Sequence, residues 1–198
     1  TRVDDDLDRR TGTVGRVLPF LEVKIVDPAT GVTLRRGEPG ELCTRGYSVM
    51  LGYWDEPEKT AEVLDAARWM HTGDLASMSA DGYVNIVGRI KDLIIRGGEN
   101  VYPREVEEFL YRHPKVSDVQ VIGVPDEKYG EAVMACVTLR DPEENLTLDE
   151  VRAFCQGQLA HYKVPRYVRV VESFPMTISG KVRKVEMREW AVRELGLG

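Results

Sequence analysis

The chain has 198 residues, 42% hydrophobic and 30% charged, a balance that excludes a disordered tail and leaves length for one ordinary core or two small ones. Its formal net charge is -6, and no long lysine or arginine cluster tracks a phosphate backbone, so nucleic acid is not an expected partner. No apolar stretch approaches the roughly 20 residues of a spanning helix, and no transmembrane segment is expected.

The first residue is Thr1, and Arg2-Val3-Asp4-Asp5-Asp6 reads as a surface stretch of something already under way, so a fragment is expected. Up to about residue 90 the pattern is mostly β. Apolar and charged residues alternate in Leu21-Glu22-Val23-Lys24-Ile25, the period of a strand with one buried face. Asp27 to Gly31 and Pro39-Gly40 supply turns, the second just before the run Glu41 to Thr44. A short helix is expected over Glu58 to Leu64. Ala80-Asp81-Gly82 should join His71–Met78 to Tyr83–Gly88 as a hairpin. Short strands with tight turns point to a small barrel or distorted sheet.

After Arg89 helices and strands alternate, and the boundary is expected near Arg89-Ile90-Lys91-Asp92. Pro103 suits a first helical turn, with Val106, Phe109 and Leu110 on one face, and His113-Pro114 ends that helix. Val116–Val124 and Ala132–Leu139 read as strands. Thr147 and Glu150 form a capping box for a helix whose apolar face is Val151, Phe154, Cys155 and Leu159. Tyr167–Phe174 is a third strand, and Met187, Trp190, Ala191 and Leu195 mark a final amphipathic helix.

Cys43, Cys136 and Cys155 are odd in number and lack any CxxC spacing, which fits a reducing, cytoplasmic compartment. His71, His113 and His161 are equally scattered, so no metal site is expected.

Four segments call for more than packing. In Thr72-Gly73-Asp74 a carboxylate follows a glycine beside a strand, where it can accept hydrogen bonds from a sugar diol; a solvated turn residue is the plainer reading. Gly97-Gly98-Glu99-Asn100 permits positive φ and close approach of a ligand, or is simply a strand-to-helix turn. Gly88-Arg89-Ile90-Lys91-Asp92 puts charges at the boundary, as a solvated linker also would. Pro175 to Lys181 ends in Ser179-Gly180-Lys181, but Pro175 and Val182 occupy positions where a Walker loop needs Gly and Ser or Thr. A lysine on a Ser-Gly turn can still reach a phosphate as a point charge.

In their order, Gly52-Tyr53-Trp54, Trp69 to Asp74, Gly88 to Glu107, Tyr129-Gly130-Glu131, Tyr162-Lys163-Val164-Pro165 and Ser179-Gly180-Lys181 resemble the adenylate-forming superfamily. Its members are acyl-CoA and aryl-CoA synthetases, peptide-synthetase adenylation domains and beetle luciferases. The likeness covers nearly the whole chain and is greatest to medium-chain fatty-acyl-CoA synthetases. It implies an α+β fold: a β-rich sub-barrel remnant of the large adenylation domain over residues 1-90, then a mobile domain over 91-198 with a small mixed sheet and packed helices.

The same resemblance implies a carboxylic acid substrate activated by ATP and Mg²⁺ as acyl-AMP, followed by transfer of the acyl group to CoA. It assigns Asp74 to the ribose hydroxyls, Arg89 to the same nucleotide, Lys91 to the hinge, Gly98 to the pantetheine path and Lys181 to catalysis of adenylation. The family's phosphate loop, adenine-contacting motif and acyl pocket are absent from this sequence, so an upstream N-terminal domain is the expected partner, and the chain alone is expected to be inactive. The rival readings are another adenylate-forming ligase and a non-enzymatic nucleotide-binding module.

Overall fold

The computed structural model describes residues 1–197. The chain folds into two units, Thr1–Lys91 and Asp92–Gly198.

The first unit opens on a short helix, α1 (Leu7–Gly12), which buries none of its residues. Asp6 caps it by accepting the Arg9 N–H at 2.8 Å. With no buried face it has no hydrophobic period, and the sequence pattern therefore does not announce it. Strands β1 (Leu21–Val26), β2 (Gly40–Gly46), β3 (Met70–Met78) and β4 (Val84–Arg89) follow, with helix α2 (Pro57–Val63) between β2 and β3. They pair antiparallel in the order β1-β2-β3-β4.

The sub-barrel expectation is corrected to an open sheet, because β1 and β4 are its two edges and do not pair with each other. Closure would require that last ladder. Ile25, Ala76 and Val84 form the buried cluster on this sheet, with Leu34, Leu42, Met78 and Ile86 packed beside them.

The second unit begins with a hairpin of two three-residue strands, β5 (Ile94–Arg96) and β6 (Glu99–Val101). Gly97 and Gly98 are its corner, at φ +60° and +86°, the positive values that a two-residue hairpin turn requires and that glycine adopts without a Cβ penalty. The strand-to-helix turn expected here is thus a hairpin turn, and the helix starts one strand later.

Helix α3 (Pro103–Leu110) carries Pro at its start and buries Val106 and Leu110. Strands β7 (Val116–Asp126) and β8 (Gly130–Leu139) pair along their whole length. β9 (Tyr167–Val170) joins β8 in parallel over Met134–Val137, while β5 meets β8 at Gly130. The third strand therefore stops at Val170 and not at Phe174: the Val171 N–H still bonds the Val137 carbonyl at 2.8 Å, but β8 ends two residues later at Leu139.

Side chains of β7 and β8 alternate between two cores, as strand geometry demands. Val119, Val121, Val133, Ala135 and Val137 face Val106 and Leu110 of α3 and Val151 and Cys155 of α4 (Leu148–Cys155). Ile122, Val124, Ala132, Met134 and Cys136 face Met187 and Ala191 of α5 (Lys184–Leu195). Both faces are covered, which is why Val121–Val124 of β7 and Ala132–Val137 of β8 carry no polar side chain.

The capping box at α4 is closed in both directions. Thr147 Oγ1 accepts the Glu150 N–H at 3.2 Å, and Glu150 Oε2 accepts the Thr147 N–H at 2.8 Å. Lys184 ties α5 to the opposite core, donating to Glu107 Oε1 at 2.7 Å and to the Val121 carbonyl at 3.1 Å.

Candidate functional site

Asp74 and Arg89 are directly opposed in the β3–β4 ladder. Arg89 Nε lies 3.2 Å from Asp74 Oδ1, and their side chains are 66% and 32% exposed. A pair this open contributes little to stability. Asp74 Oδ2 has no partner among the described residues, so a carboxylate oxygen and a guanidinium stand together where a ligand with adjacent hydroxyls can meet them.

Asp74 owes its position to a bulge. The β2–β3 register runs from Cys43↔His71 to Glu41↔Leu75, so that only Leu42 faces the three residues Thr72-Gly73-Asp74. Gly73 takes φ +71° there. The Thr72 hydroxyl donates to the Leu42 carbonyl at 2.8 Å, and the Asp74 N–H donates back to Thr72 Oγ1 at 3.1 Å. Glu41, 8% exposed, accepts the Gly73 N–H on Oε1 at 3.1 Å and meets His71 Nδ1 through Oε2 at 2.7 Å. Sequence reasoning passed over Glu41 as one residue of a strand. A carboxylate beside the buried positions of β2 was the available signal.

Glu41, Cys43 and His71 are also the one group among the described residues with metal-ligand chemistry, their donor atoms all within 4.8 Å. Burial first, then the Glu41 charge, pushes the Cys43 thiol up to about 11, so without a cation it stays protonated at neutral pH. The Glu41–His71 distance of 2.7 Å is that of a hydrogen bond, shorter than the roughly 3.3 Å that separates two ligands at tetrahedral zinc distances. The group fits a hydrogen-bonded brace.

Lys91 lies in a 3₁₀ turn, Ile90–Asp92, exposed and at the last position of the first unit. It makes no ion pair among the described residues, whereas Asp92 accepts from Arg188 at 2.8 Å.

In the second unit, three motif segments come together around the Gly97-Gly98 corner. The Gly97 N–H donates to the Tyr129 carbonyl at 2.8 Å. Glu131 Oε2 accepts the Ile95 N–H at 2.6 Å. Arg96 donates to the Tyr162 carbonyl at 2.8 Å, with its guanidinium 5.3 Å from the Tyr129 ring centre. Tyr129, Glu131, Arg96 and Tyr162 thus fix the corner on which Gly98 is exposed. A Cβ on Gly97 would press on Tyr129 at 3.1 Å, while one on Gly98 meets nothing within 4 Å.

Lys181 ends a turn closed by hydrogen bonds. The Thr177 N–H donates to the Lys181 carbonyl at 2.8 Å, the Gly180 N–H to the Thr177 carbonyl at 2.9 Å, and the Lys181 N–H to Thr177 Oγ1 at 3.0 Å. Gly180 sits at φ +78°. The Lys181 side chain is exposed and without an ion pair among the described residues, so its ammonium is available to an anion. The structure brings Asp74 and Arg89 into one pair in the first unit; Gly98 and Lys181 lie on separate turns of the second.

Known proteins are similar to this chain in sequence and fold. Residues 105–181 match the AMP-binding enzyme C-terminal domain, and residues 1–54 match the AMP-binding enzyme family. The chain belongs to the adenylate-forming, AMP-binding enzymes. It is 48% identical over 98% of its length to human "Medium-chain acyl-CoA ligase ACSF2, mitochondrial", of which it covers 31%, and 51% identical over 100% to "Putative acyl-CoA synthetase YngI" of Bacillus subtilis, of which it covers 36%. ATP-bound MatB from Rhodopseudomonas palustris is similar over 90% of the chain and 35% of that structure, at a TM-score of 0.84 and 41% identity. The chain therefore spans about a third of the length of the curated relatives it matches. No helix among the described residues is long and apolar enough to cross a membrane.

Proposed function

We propose that this chain is the C-terminal part of an ATP-dependent acyl-CoA synthetase, which joins a fatty carboxylic acid to AMP and then passes the acyl group to CoA. On this reading residues 1-90 are the last β-rich part of the large adenylation domain, and residues 91-198 are the mobile domain that turns about Lys91 between the two half-reactions. The observation that carries the reading is the division of exposed groups: an outward Asp74–Arg89 pair in one unit, and in the other an exposed lysine on a hydrogen-bonded turn.

In the adenylation step Asp74 accepts hydrogen bonds from the ribose hydroxyls, and Arg89 holds the same nucleotide. The Lys181 ammonium offsets the negative charge that grows on the α-phosphate and carboxylate oxygens as the carboxylate attacks and pyrophosphate leaves. Mg²⁺ bound to the ATP phosphates would partly neutralise their charge; no residue of this chain is assigned to it. In the second step the CoA thiol attacks the acyl carbon and AMP leaves, with the exposed Gly98 corner beside the pantetheine arm. A cytoplasmic location is our reading of three unbridged thiols, and an upstream domain is our reading of Phe20, Leu51 and Trp54, which are all more than nine-tenths exposed here.

Half-reactions of the full-length enzyme test this. Lys181→Ala should slow acyl-AMP formation by about 10² to 10³, the usual cost of removing one transition-state charge partner, yet leave thioester formation from supplied acyl-AMP and CoA near the wild-type rate. The 198-residue chain alone should release no pyrophosphate with ATP and any of a panel of carboxylic acids. Equal loss of both half-reactions would remove Lys181 from the adenylation step. A wild-type enzyme that makes no CoA thioester from any acid would end the synthetase reading.

A further inference from the structure

We infer that Glu41 is a positioning residue for the Asp74 carboxylate, with His71 as its anchor, an inference that rests on Asp74 binding the ribose. The bulge at Thr72-Gly73-Asp74 leaves these residues outside the regular β2–β3 ladder, in which five residues of β3, from His71 to Leu75, face three of β2. The Gly73 N–H, turned by φ +71°, therefore has no strand partner. It bonds Glu41 Oε1 at 3.1 Å instead.

An ionised carboxylate is a stronger acceptor than a carbonyl for such a donor. A glycine in this conformation has no side chain to define its path, so the partner of its N–H matters more than usual. His71 then fixes the carboxylate itself, meeting Oε2 at 2.7 Å, directly across the ladder from Cys43. At 8% exposure, Glu41 has little water to exchange partners with, and both its oxygens are spoken for.

The residue after Gly73 is Asp74, where pairing with Arg89 of β4 begins. The direction of the Asp74 side chain is thus set from behind by Glu41 and from across by Arg89. The Thr72 hydroxyl, bonded to the Leu42 carbonyl at 2.8 Å and to the Asp74 N–H at 3.1 Å, completes the brace. Glu41 touches no ligand in this account; it decides where the diol-binding oxygen stands.

The test measures the full-length synthetase with ATP and with 3′-deoxy-ATP, which lacks one hydroxyl of the diol. Wild type should prefer ATP, and Asp74→Ala should lose that preference. Glu41→Ala should raise the KM for ATP about tenfold, as expected when one charge-assisted hydrogen bond is lost, and reduce the preference for ATP over the deoxy analogue to within about twofold. The KM values for acid and CoA should not change. Glu41→Gln keeps an acceptor for the Gly73 N–H and should recover most of the preference, a rescue that loss of general stability would not show. If Asp74→Ala loses the preference and Glu41→Ala retains it, Glu41 is only a strand residue and the inference fails while the ribose reading stands. If Asp74→Ala retains the preference, the ribose reading falls and takes this inference with it. Should Glu41→Ala not be recovered folded, His71→Ala, which removes the anchor alone, carries the same comparison: a reduced preference supports the positioning role, and a wild-type preference overturns it.

Discussion

The two units bury their sheets to different extents. In the second, β7 and β8 send alternate side chains into two cores, one under α3 and α4 and one under α5. The first has an open four-stranded sheet with Ile25, Ala76 and Val84 as its buried cluster. It leaves Phe20, Leu51 and Trp54 at 93%, 91% and 97% exposure. Apolar burial at about 25 cal/mol per Å² is the main stabilising term in folding, so the second unit, with two large buried clusters against one of three residues, draws more of that stabilisation.

The largest effect expected from this contrast is in the core of the second unit. Leu110, 1% exposed, packs between α3 and the sheet, and Leu110→Ala should destabilise that unit by about 2–5 kcal/mol in urea unfolding. Trp54→Ala in the same chain should change stability by no more than about 0.5 kcal/mol. In the full-length enzyme Trp54→Ala should cost measurably more. Equal and small effects of Trp54→Ala in both settings would mean that nothing covers this residue.

A smaller effect is expected at the hairpin corner. Gly98→Leu meets no steric obstacle, with nothing within 4 Å of the added Cβ, but it must hold φ +86°, at a cost of roughly 1–2 kcal/mol for an L-residue in left-handed conformation. It should also raise the KM for CoA with acyl-AMP formation nearly intact. Normal CoA kinetics would make Gly98 a turn residue and nothing more.

The smallest effect is a pH dependence confined to the second unit. Lys115, and then the Thr147 backbone and hydroxyl, hold the Glu150 carboxyl down to about 2 from an ordinary 4.5. A carboxyl depressed on folding adds stability that is complete above its unfolded value and is lost as pH falls through its folded one. Thermal melts should therefore show wild type losing stability between about pH 4.5 and 2. Glu150→Gln should lack that part of the slope and converge on wild type at the acid end. Parallel curves would show that the Glu150 contacts are no stronger in the folded chain than in water.

Most of the regular elements were legible because each carries a local signal. The capping box is spelled by Thr147 and Glu150, helix α3 by Pro103 and the spacing of Val106 and Leu110, and the β3–β4 hairpin by Ala80-Asp81-Gly82. Where the signal was missing, so was the element: α1 buries nothing, and β5 and β6 are three residues each. The candidate residues Asp74, Arg89, Lys91, Gly98 and Lys181 came from motif order, since no local physical signal separates a ligand-binding aspartate from a solvated one.

The sequence by itself determined the helix and strand periods, the turn residues and membership of the adenylate-forming enzymes, because these depend on neighbours within a few positions or on the order of short motifs. Only the tertiary structure decided that the first sheet stays open, that Asp74 faces Arg89 across a ladder, and that Glu41 reaches the Gly73 N–H thirty-two positions away. It also decided that Arg96, Tyr129, Glu131 and Tyr162 converge on one hairpin corner. Bulges and side-chain braces of this kind depend on which donor is left without a ladder partner, and that follows from the register between strands, which no local stretch of sequence contains.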